Sequence, residues 1–285
     1  MKVLEVKNLT KYYGKSRGIK NVSFEIDEGM VFGFIGPNGA GKSTTIRCIM
    51  NELNVTSGSI LYKGKPLLKN DKESYKEIGY LPSEVHLYEE LKVADMYKYN
   101  DSFYKEDTLK RAYELSEILG IETNRKIKEL SLGNKQKIGF VLSIAHSPKI
   151  VIMDEVTAGL DPLVQEAVYQ IIKEEKAKGT AFFFSSHNLP EVKKVCDKVA
   201  IIKEGEIIKI ASVDELTSTE GLKVKVYTKD DLKDDFKDLK TENGCKEFIY
   251  DRDINSLLKI LNKYKIERLL IEEPSIEEIF RHYYR

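Results

Sequence analysis

The nonapeptide Gly36-Pro37-Asn38-Gly39-Ala40-Gly41-Lys42-Ser43-Thr44 constrains this chain more than any other stretch. It fits G-x-x-x-x-G-K-[ST], with Gly36 and Gly41 as the spaced glycines. Glycines let the backbone curl until successive N–H groups point at one anion, where a Cβ would obstruct the approach. The spacing predicts a cradle for the phosphates of a nucleoside triphosphate. Lys42 supplies charge to the β- and γ-phosphates, and the Ser43 hydroxyl is a magnesium ligand. The apolar run 30–35 reads as a buried strand. Residues 44–50 read as a helix whose N-terminal dipole favours an anion. A glycine-rich turn ahead of a helix is the plain alternative; strand, loop and helix together select the cradle.

A length of 285 residues allows one main domain and a smaller appendage. The 46 Lys and Arg balance 46 Asp and Glu, so no global positive field points to nucleic acid. The basic run from Lys126 to Lys137 is a local exception. Cys48, Cys196 and Cys245 share no metal or redox spacing and read as reduced structural thiols of a cytosolic protein. Lys2, Glu5 and Lys7 stand where a signal peptide needs an apolar core. No apolar run approaches the roughly 18 residues of a membrane span, so work at a membrane would pass through a partner.

Residues 3–10 and 19–26 alternate and predict antiparallel strands, which 57–66 extends with a strand and turn. Between the first two lies Tyr12-Tyr13-Gly14, an aromatic that could stack on a base or simply pack. A short strand is expected at 78–82 and helical periodicity from Val93 to about Gly120. Another helix opens within 129–137 and continues through an apolar, buried stretch to 145.

Residues 149–155 read as a buried strand whose carboxyl end carries Asp154 and Glu155. Ligands of open parallel sheets sit at such ends. Alone, the pair is equally two charges in a solvated turn; beside a phosphate loop it becomes a magnesium-side aspartate and a water-polarising glutamate. A turn at 157–162, a helix to 178 and an apolar strand ending in His187 follow, then a hairpin across Glu204-Gly205. A lone histidine usually packs, but this one closes a strand of the same sheet. Beyond about Ser212 short strands at 222–227, 248–250 and 269–271, a helix at 254–261 and a terminal helix at 276–284 describe a small α+β appendage.

In this order the motifs resemble the ATP-binding subunits of ABC transporters, over about residues 1–212. Gly36 to Ser43 matches the Walker A loop, and residues 150–155 match Walker B with Glu155 as its catalytic glutamate. Leu130-Ser131-Leu132-Gly133-Asn134 looks like the signature sequence, Gly159-Leu160-Asp161 the D-loop, and His187 the switch histidine. The resemblance implies an α/β P-loop NTPase fold: a RecA-like parallel core, an antiparallel β subdomain, and a helical signature subdomain over about 84–147. Residues 213–285 form the accessory region.

It further implies ATP and Mg²⁺ as cofactors, with Lys42, Glu155 and His187 catalytic. Tyr13, at the adenine-stacking position, would bind nucleotide together with Asn38, Gly39, Ala40, Gly41, Lys42, Ser43 and Thr44. Ser131, Gly133 and Asp161 would act on the nucleotide shared with a second cassette, paired head to tail as a homodimer or, alternatively, a heterodimer. Ser43, Asp154 and Ser83 would surround the metal. The ending 269–284 and the Gly79-Tyr80-Leu81-Pro82 run resemble ABC-2-type exporter cassettes. The resemblance thus implies a membrane-spanning permease partner at the cytoplasmic face of the cell membrane, no span of the chain's own, and no nucleic-acid partner. Three departures stand out: Ser83, followed by Glu84, for the Q-loop glutamine; Leu132 and Asn134 in the signature; and Val156 for a proline, expected to loosen its turn. A soluble ABC ATPase acting on nucleic acid, ribosomes or cluster assembly is the alternative function, and a poorly hydrolysing nucleotide sensor a third.

Overall fold

Alternation of apolar and polar residues turns the opening segments into a ladder with one buried face. The structure, a computed structural model, describes residues 1–272 except 15, 105–106, 158, 219–221, 233–234, 237–238, 243 and 251–252. Two compact units divide the chain, Met1–Ala211 and Ser212–Arg285.

The first unit begins with β1 (Lys2–Tyr13), β2 (Ser16–Asp27), β3 (Val31–Ile35), α1 (Lys42–Ile49), β4 (Ser57–Tyr62), β5 (Lys65–Pro66), α2 (Lys72–Lys76) and β6 (Ile78–Leu81). It continues through α3 (Val93–Asp101), α4 (Leu109–Ile118), α5 (Leu132–Ile144), β7 (Ile150–Asp154), α6 (Pro162–Ala177), β8 (Ala181–Ser186), α7 (Leu189–Val195), β9 (Lys198–Lys203) and β10 (Glu206–Ser212). One sheet has the order β2-β1-β4-β5, with Leu4 opposite Ile26 and Tyr62. The other runs β10-β9-β3-β8-β7-β6, and its ladders from β9 to β6 are parallel. Phe24 of the first sheet stacks on Phe32 and Phe183 of the second, each at 5.2 Å. Such ring pairs contribute about 1 kcal/mol beyond the area they bury and fasten the sheets face to face.

The helical segment differs from the expectation of one continuous pattern. It breaks after α3 because Asp101 Oδ1 accepts from both Thr108 N and Thr108 Oγ1 at 2.8 Å, holding a turn that α4 then leaves. Gly120, with φ +64°, ends α4 as expected. Helix α5 is buried through Ile138, Phe140, Val141 and Ile144. The basic run is tied up locally: Lys128 pairs with Glu90 at 2.9 Å and Lys135 with Glu89 at 2.6 Å, while Lys137 donates to Leu119 O at 2.9 Å. These contacts engage three lysines of the run within its own subdomain, two of them with carboxylates. Cys48 and Cys196 are buried and all three thiols are free; burial raises the pKa of Cys48 to about 11.

The second unit holds α8 (Val213–Ser218), β11 (Leu222–Tyr227), β12 (Lys240–Glu242), β13 (Cys245–Tyr250), α9 (Ile254–Leu261) and β14 (Arg268–Glu272). Its antiparallel sheet has the order β12-β13-β11-β14. Val224, Val226, Phe248, Leu257 and Leu261 form its core, with Leu232 and Phe236 from the charged stretch packed in. The expected terminal helix at 276–284 lies outside the described residues. No helix among the described residues is long and apolar enough to cross a membrane.

Candidate active site

Strand order builds the site. The carboxyl ends of β3, β8, β7 and β6 lie side by side, with Ile35 opposite Ser186, Asp154 opposite Ser185, and Leu81 opposite Met153. Each strand then delivers one chemical part: β3 the glycine loop, β7 the acidic pair, β8 His187, and β6 the segment with Ser83.

The loop needs its glycines for two reasons. Gly39 and Gly41 have φ of +81° and +110°, the left-handed region. A Cβ at Gly36 would stand 2.5 Å from Ile202 O. The β9–β10 hairpin braces the loop from outside, since Gly205 N donates to Ala40 O at 2.9 Å. Gly36→Ala is therefore expected to cost about 1–3 kcal/mol by overpacking against backbone, read as a lower urea midpoint. An unchanged midpoint would show that the loop gives way freely.

Lys42, only 5% exposed, curls back over the loop. Its Nζ donates to Gly36 O at 2.8 Å and Pro37 O at 3.3 Å and stands 3.7 Å from Glu155 Oε1. Burial pushes its pKa below the ordinary value, and the carboxylates of Glu155 and Asp154 oppose that. Asn38 and Gly39 are exposed, as is Ser43, while Ala40 is buried behind them. Tyr13 stands beside the start of α1: its hydroxyl is 3.5 Å from Thr44 Oγ1, and its exposed ring carries Lys11 Nζ at 5.4 Å from the centroid.

Asp154 is buried and accepts from the Ser185 hydroxyl through Oδ1. Glu155 has φ +52°, a conformation that costs a non-glycine residue about 1 kcal/mol and persists only when neighbours hold it. Here its N–H is held by Ser185 O and Ser185 Oγ, both at 3.2 Å. Its Oε1 lies 3.1 Å from His187 Nδ1, so one carboxylate oxygen faces both His187 and Lys42. Val156 is fully buried, so the turn expected to be loose is anchored by an apolar side chain.

The remaining expected residues do not join this cluster. Ser131 caps α5, accepting from Asn134 N at 3.3 Å. Gly133 packs against the β7–α6 turn, where an added Cβ would stand 2.9 Å from Gly159 O. Asp161 caps α6 by accepting from Val164 N at 3.1 Å. Ser83 is exposed beyond β6. Among the described residues no hydrogen bond or ion pair links these four to Lys42, Glu155 or His187.

Helix α7 and its buried Glu191 were missing from the sequence expectations. Asn188 ahead of Pro190 and Glu191 is a helix-start signal that would have located them. The residues at the sheet edge suit Mg²⁺, which takes hard oxygens and keeps much of its water and phosphate coordination. Asp154 engages Ser185 through one oxygen and keeps the other for a ligand, and the Ser43 hydroxyl is exposed at the start of α1. Among the described residues no three His, Cys, Asp or Glu side chains gather into an all-protein metal cluster.

The sequence model of the ABC transporter family matches residues 19–158. An uncharacterized ABC transporter ATP-binding protein of Bacillus subtilis, YhaQ, is 32% identical, covering 98% of this chain and 97% of its own length. The lantibiotic transport ATP-binding protein SrtF of Streptococcus pyogenes is 37% identical, over 72% of this chain and 89% of that protein. The methionine import ATP-binding protein MetN of Clostridioides difficile is 33% identical, over 78% and 73%. Among solved structures, the ATP-binding subunit of an ABC transporter superposes with a TM-score of 0.71 at 29% identity, covering 76% of this chain and 92% of that one. A lantibiotic-transport and a methionine-import relative stand at similar identity, so the comparisons identify the family rather than the exporter branch. With the Walker-type residues gathered at one sheet edge and a relative of the family matched along nearly the whole chain, this protein belongs to the ATP-binding subunits of ABC transporters and is an ATPase of that family.

Proposed function

We propose that this chain powers a separate membrane-spanning permease of the ABC-2 exporter type, at the cytoplasmic face of the membrane, moving peptides, drugs or other amphipathic cargo. The observation that most supports the hydrolytic part is the meeting of Lys42 and His187 at one oxygen of Glu155. On binding Mg-ATP, Lys42 exchanges the Gly36 and Pro37 carbonyls for β- and γ-phosphate oxygens, a gain of charge-assisted bonds. The Gly39–Gly41 backbone cradles the phosphates, and Tyr13 stacks on adenine. Glu155 orients the attacking water by accepting a hydrogen bond from it, while His187 contacts the γ-phosphate. Ser43 and Asp154 would hold Mg²⁺, with Ser83 as a proposed further ligand, and the ion would supply neutralisation of phosphate charge.

Ser131 and Gly133 stand apart from this cluster, which supports a role on the nucleotide of a second cassette. The capping geometry leaves an exposed hydroxyl and N–H groups at a helix start, suited to a γ-phosphate presented from outside. A second copy of this chain is the partner we favour.

The permease is proposed to dock beside the β6–α3 loop. Tyr88 is 58% exposed and meets Tyr99 edge-on at 5.3 Å, and Tyr99 meets Phe103 at 5.1 Å. Charged replacement of Leu87 and Tyr88 is expected to abolish transport while the isolated subunit still hydrolyses ATP. Undiminished transport would remove this surface from the coupling path. The complete reading is tested by isolating the tagged protein from native membranes in mild detergent. A stoichiometric multi-span protein is the expected companion; ribosomes or nucleic acid in its place would favour the soluble ATPase.

A further inference from the structure

We propose that Glu191 is a positioning residue that brackets the two turns carrying Glu155 and His187 and thereby sets the geometry of hydrolysis. This rests on the roles given above to those two residues. Glu191 lies in the first turn of α7 and is 7% exposed. Its Oε1 accepts from Thr157 Oγ1 at 2.5 Å and from Asn188 Nδ2 at 3.1 Å. Its Oε2 accepts from Ser186 Oγ at 2.8 Å, and that same hydroxyl oxygen accepts from Asn188 N at 2.9 Å. Thr157 is the second residue after Glu155, while Ser186 and Asn188 flank His187.

Both carboxylate oxygens are therefore spent on joining two segments that the sequence separates by about 30 residues. The Tyr169 hydroxyl of α6 adjoins the same group: burial, then the negative charge of Glu191, pushes its pKa up. Among the described residues no Lys or Arg pairs with Glu191. Its burial is compensated by neutral donors, each supplied by one of the segments it joins.

Geometry gives this bracket its task. Glu155 adopts a left-handed backbone conformation that needs holding from both sides. Ser185 holds the N–H of Glu155. On the other side Thr157, tied to Glu191, fixes the chain leaving Glu155. The side chains of Ser186 and Asn188, on either side of His187, are both held by Glu191, and the Asn188 N–H donates to Ser186 Oγ. Loss of the bracket would let Glu155 and His187 drift relative to the γ-phosphate without disturbing the glycine loop that binds nucleotide.

The test measures kcat and KM for Mg-ATP, with binding of a fluorescent ATP analogue, in full-length Glu191→Ala, Glu191→Gln and Thr157→Val. Glu191→Ala is expected to lower kcat about 10- to 100-fold while KM and analogue affinity stay within about threefold. Glu191→Gln should recover most of the loss, because the amide oxygen still accepts and a serine or threonine hydroxyl can turn to accept from its NH₂. Thr157→Val should lower kcat and add little on top of Glu191→Ala, as expected for partners in one unit. Unchanged kcat in Glu191→Ala, or parallel loss of kcat and analogue binding, would overturn the proposal. A Glu155→Gln control separates the two levels. If it hydrolyses normally, the role of Glu155 falls and the bracket, as the device that positions it, falls with it. If it is inactive while Glu191→Ala is fully active, the bracket alone falls.

Discussion

Glu155→Gln is expected to lower Mg-ATP turnover about 10³-fold while ATP affinity changes little. The substitution keeps the shape of the side chain but removes the negative charge and basicity of the carboxylate, whose Oε1 stands between His187 Nδ1, at 3.1 Å, and Lys42 Nζ, at 3.7 Å. A glutamine can still fill the turn, since the bonds that hold residue 155 come from its backbone N–H to Ser185. Fold and nucleotide cradle should thus be preserved, and the expected loss falls on the water that Glu155 is proposed to orient. Steady-state hydrolysis read beside equilibrium binding separates the two terms. Turnover within a few-fold of the parent would take the catalytic role away from Glu155. The search for a base would then move to water held by His187 and the phosphates.

Lys42→Met is expected to weaken Mg-ATP binding about 100-fold or more, because truncating one partner of a desolvated charge pair costs on the order of 2–5 kcal/mol. The ammonium is nearly enclosed by the loop, so water cannot replace it when a phosphate arrives. The same enclosure has a consequence for the nucleotide-free protein. Burial lowers the pKa of Lys42 from its ordinary 10.5, so in the interval below 10.5 the folded chain binds fewer protons than the unfolded one. The cost of the buried charge is fully present below the lowered pKa and is relieved as pH rises through it. Relative to Lys42→Met, the parent should therefore gain stability between neutral pH and about pH 10. Thermal melts of both proteins over that range would show the gap moving in this direction. A constant gap would mean that the Gly36 and Pro37 carbonyls, with Glu155 and Asp154, fully offset the burial.

Much of the candidate site was legible before any fold was known, because its parts are local. The glycines and lysine of the phosphate loop act through spacing within nine residues, and Asp154, Glu155 and His187 each announce themselves at the end of an apolar strand. Periodicity also located β1, β2, β7, β8 and the hairpin turn at Glu204-Gly205, where both residues have positive φ. It failed where a side chain intervened: Asp101 bonding Thr108 divides what the pattern presents as one helix. The basic run, a local exception to the balanced charge, meets Glu89, Glu90 and the Leu119 carbonyl, none of which its own spacing names. Polar side chains carry no periodic signal that names their partners.

By itself, then, the sequence determined the local parts: a glycine-rich loop with Lys42, the Asp154-Glu155 pair and His187, all borne by segments whose local form follows from spacing and alternation. Only the tertiary structure decided their meeting. The order β3-β8-β7 is what brings residues 42, 155 and 187 to one edge, and strand order is a choice among non-local pairings that no short window contains. The left-handed turn at Glu155 and the Glu191 bracket belong to the same class. Both exist because strands far apart in the chain are held in register, and hydrogen bonds between their loops form only once that register is set.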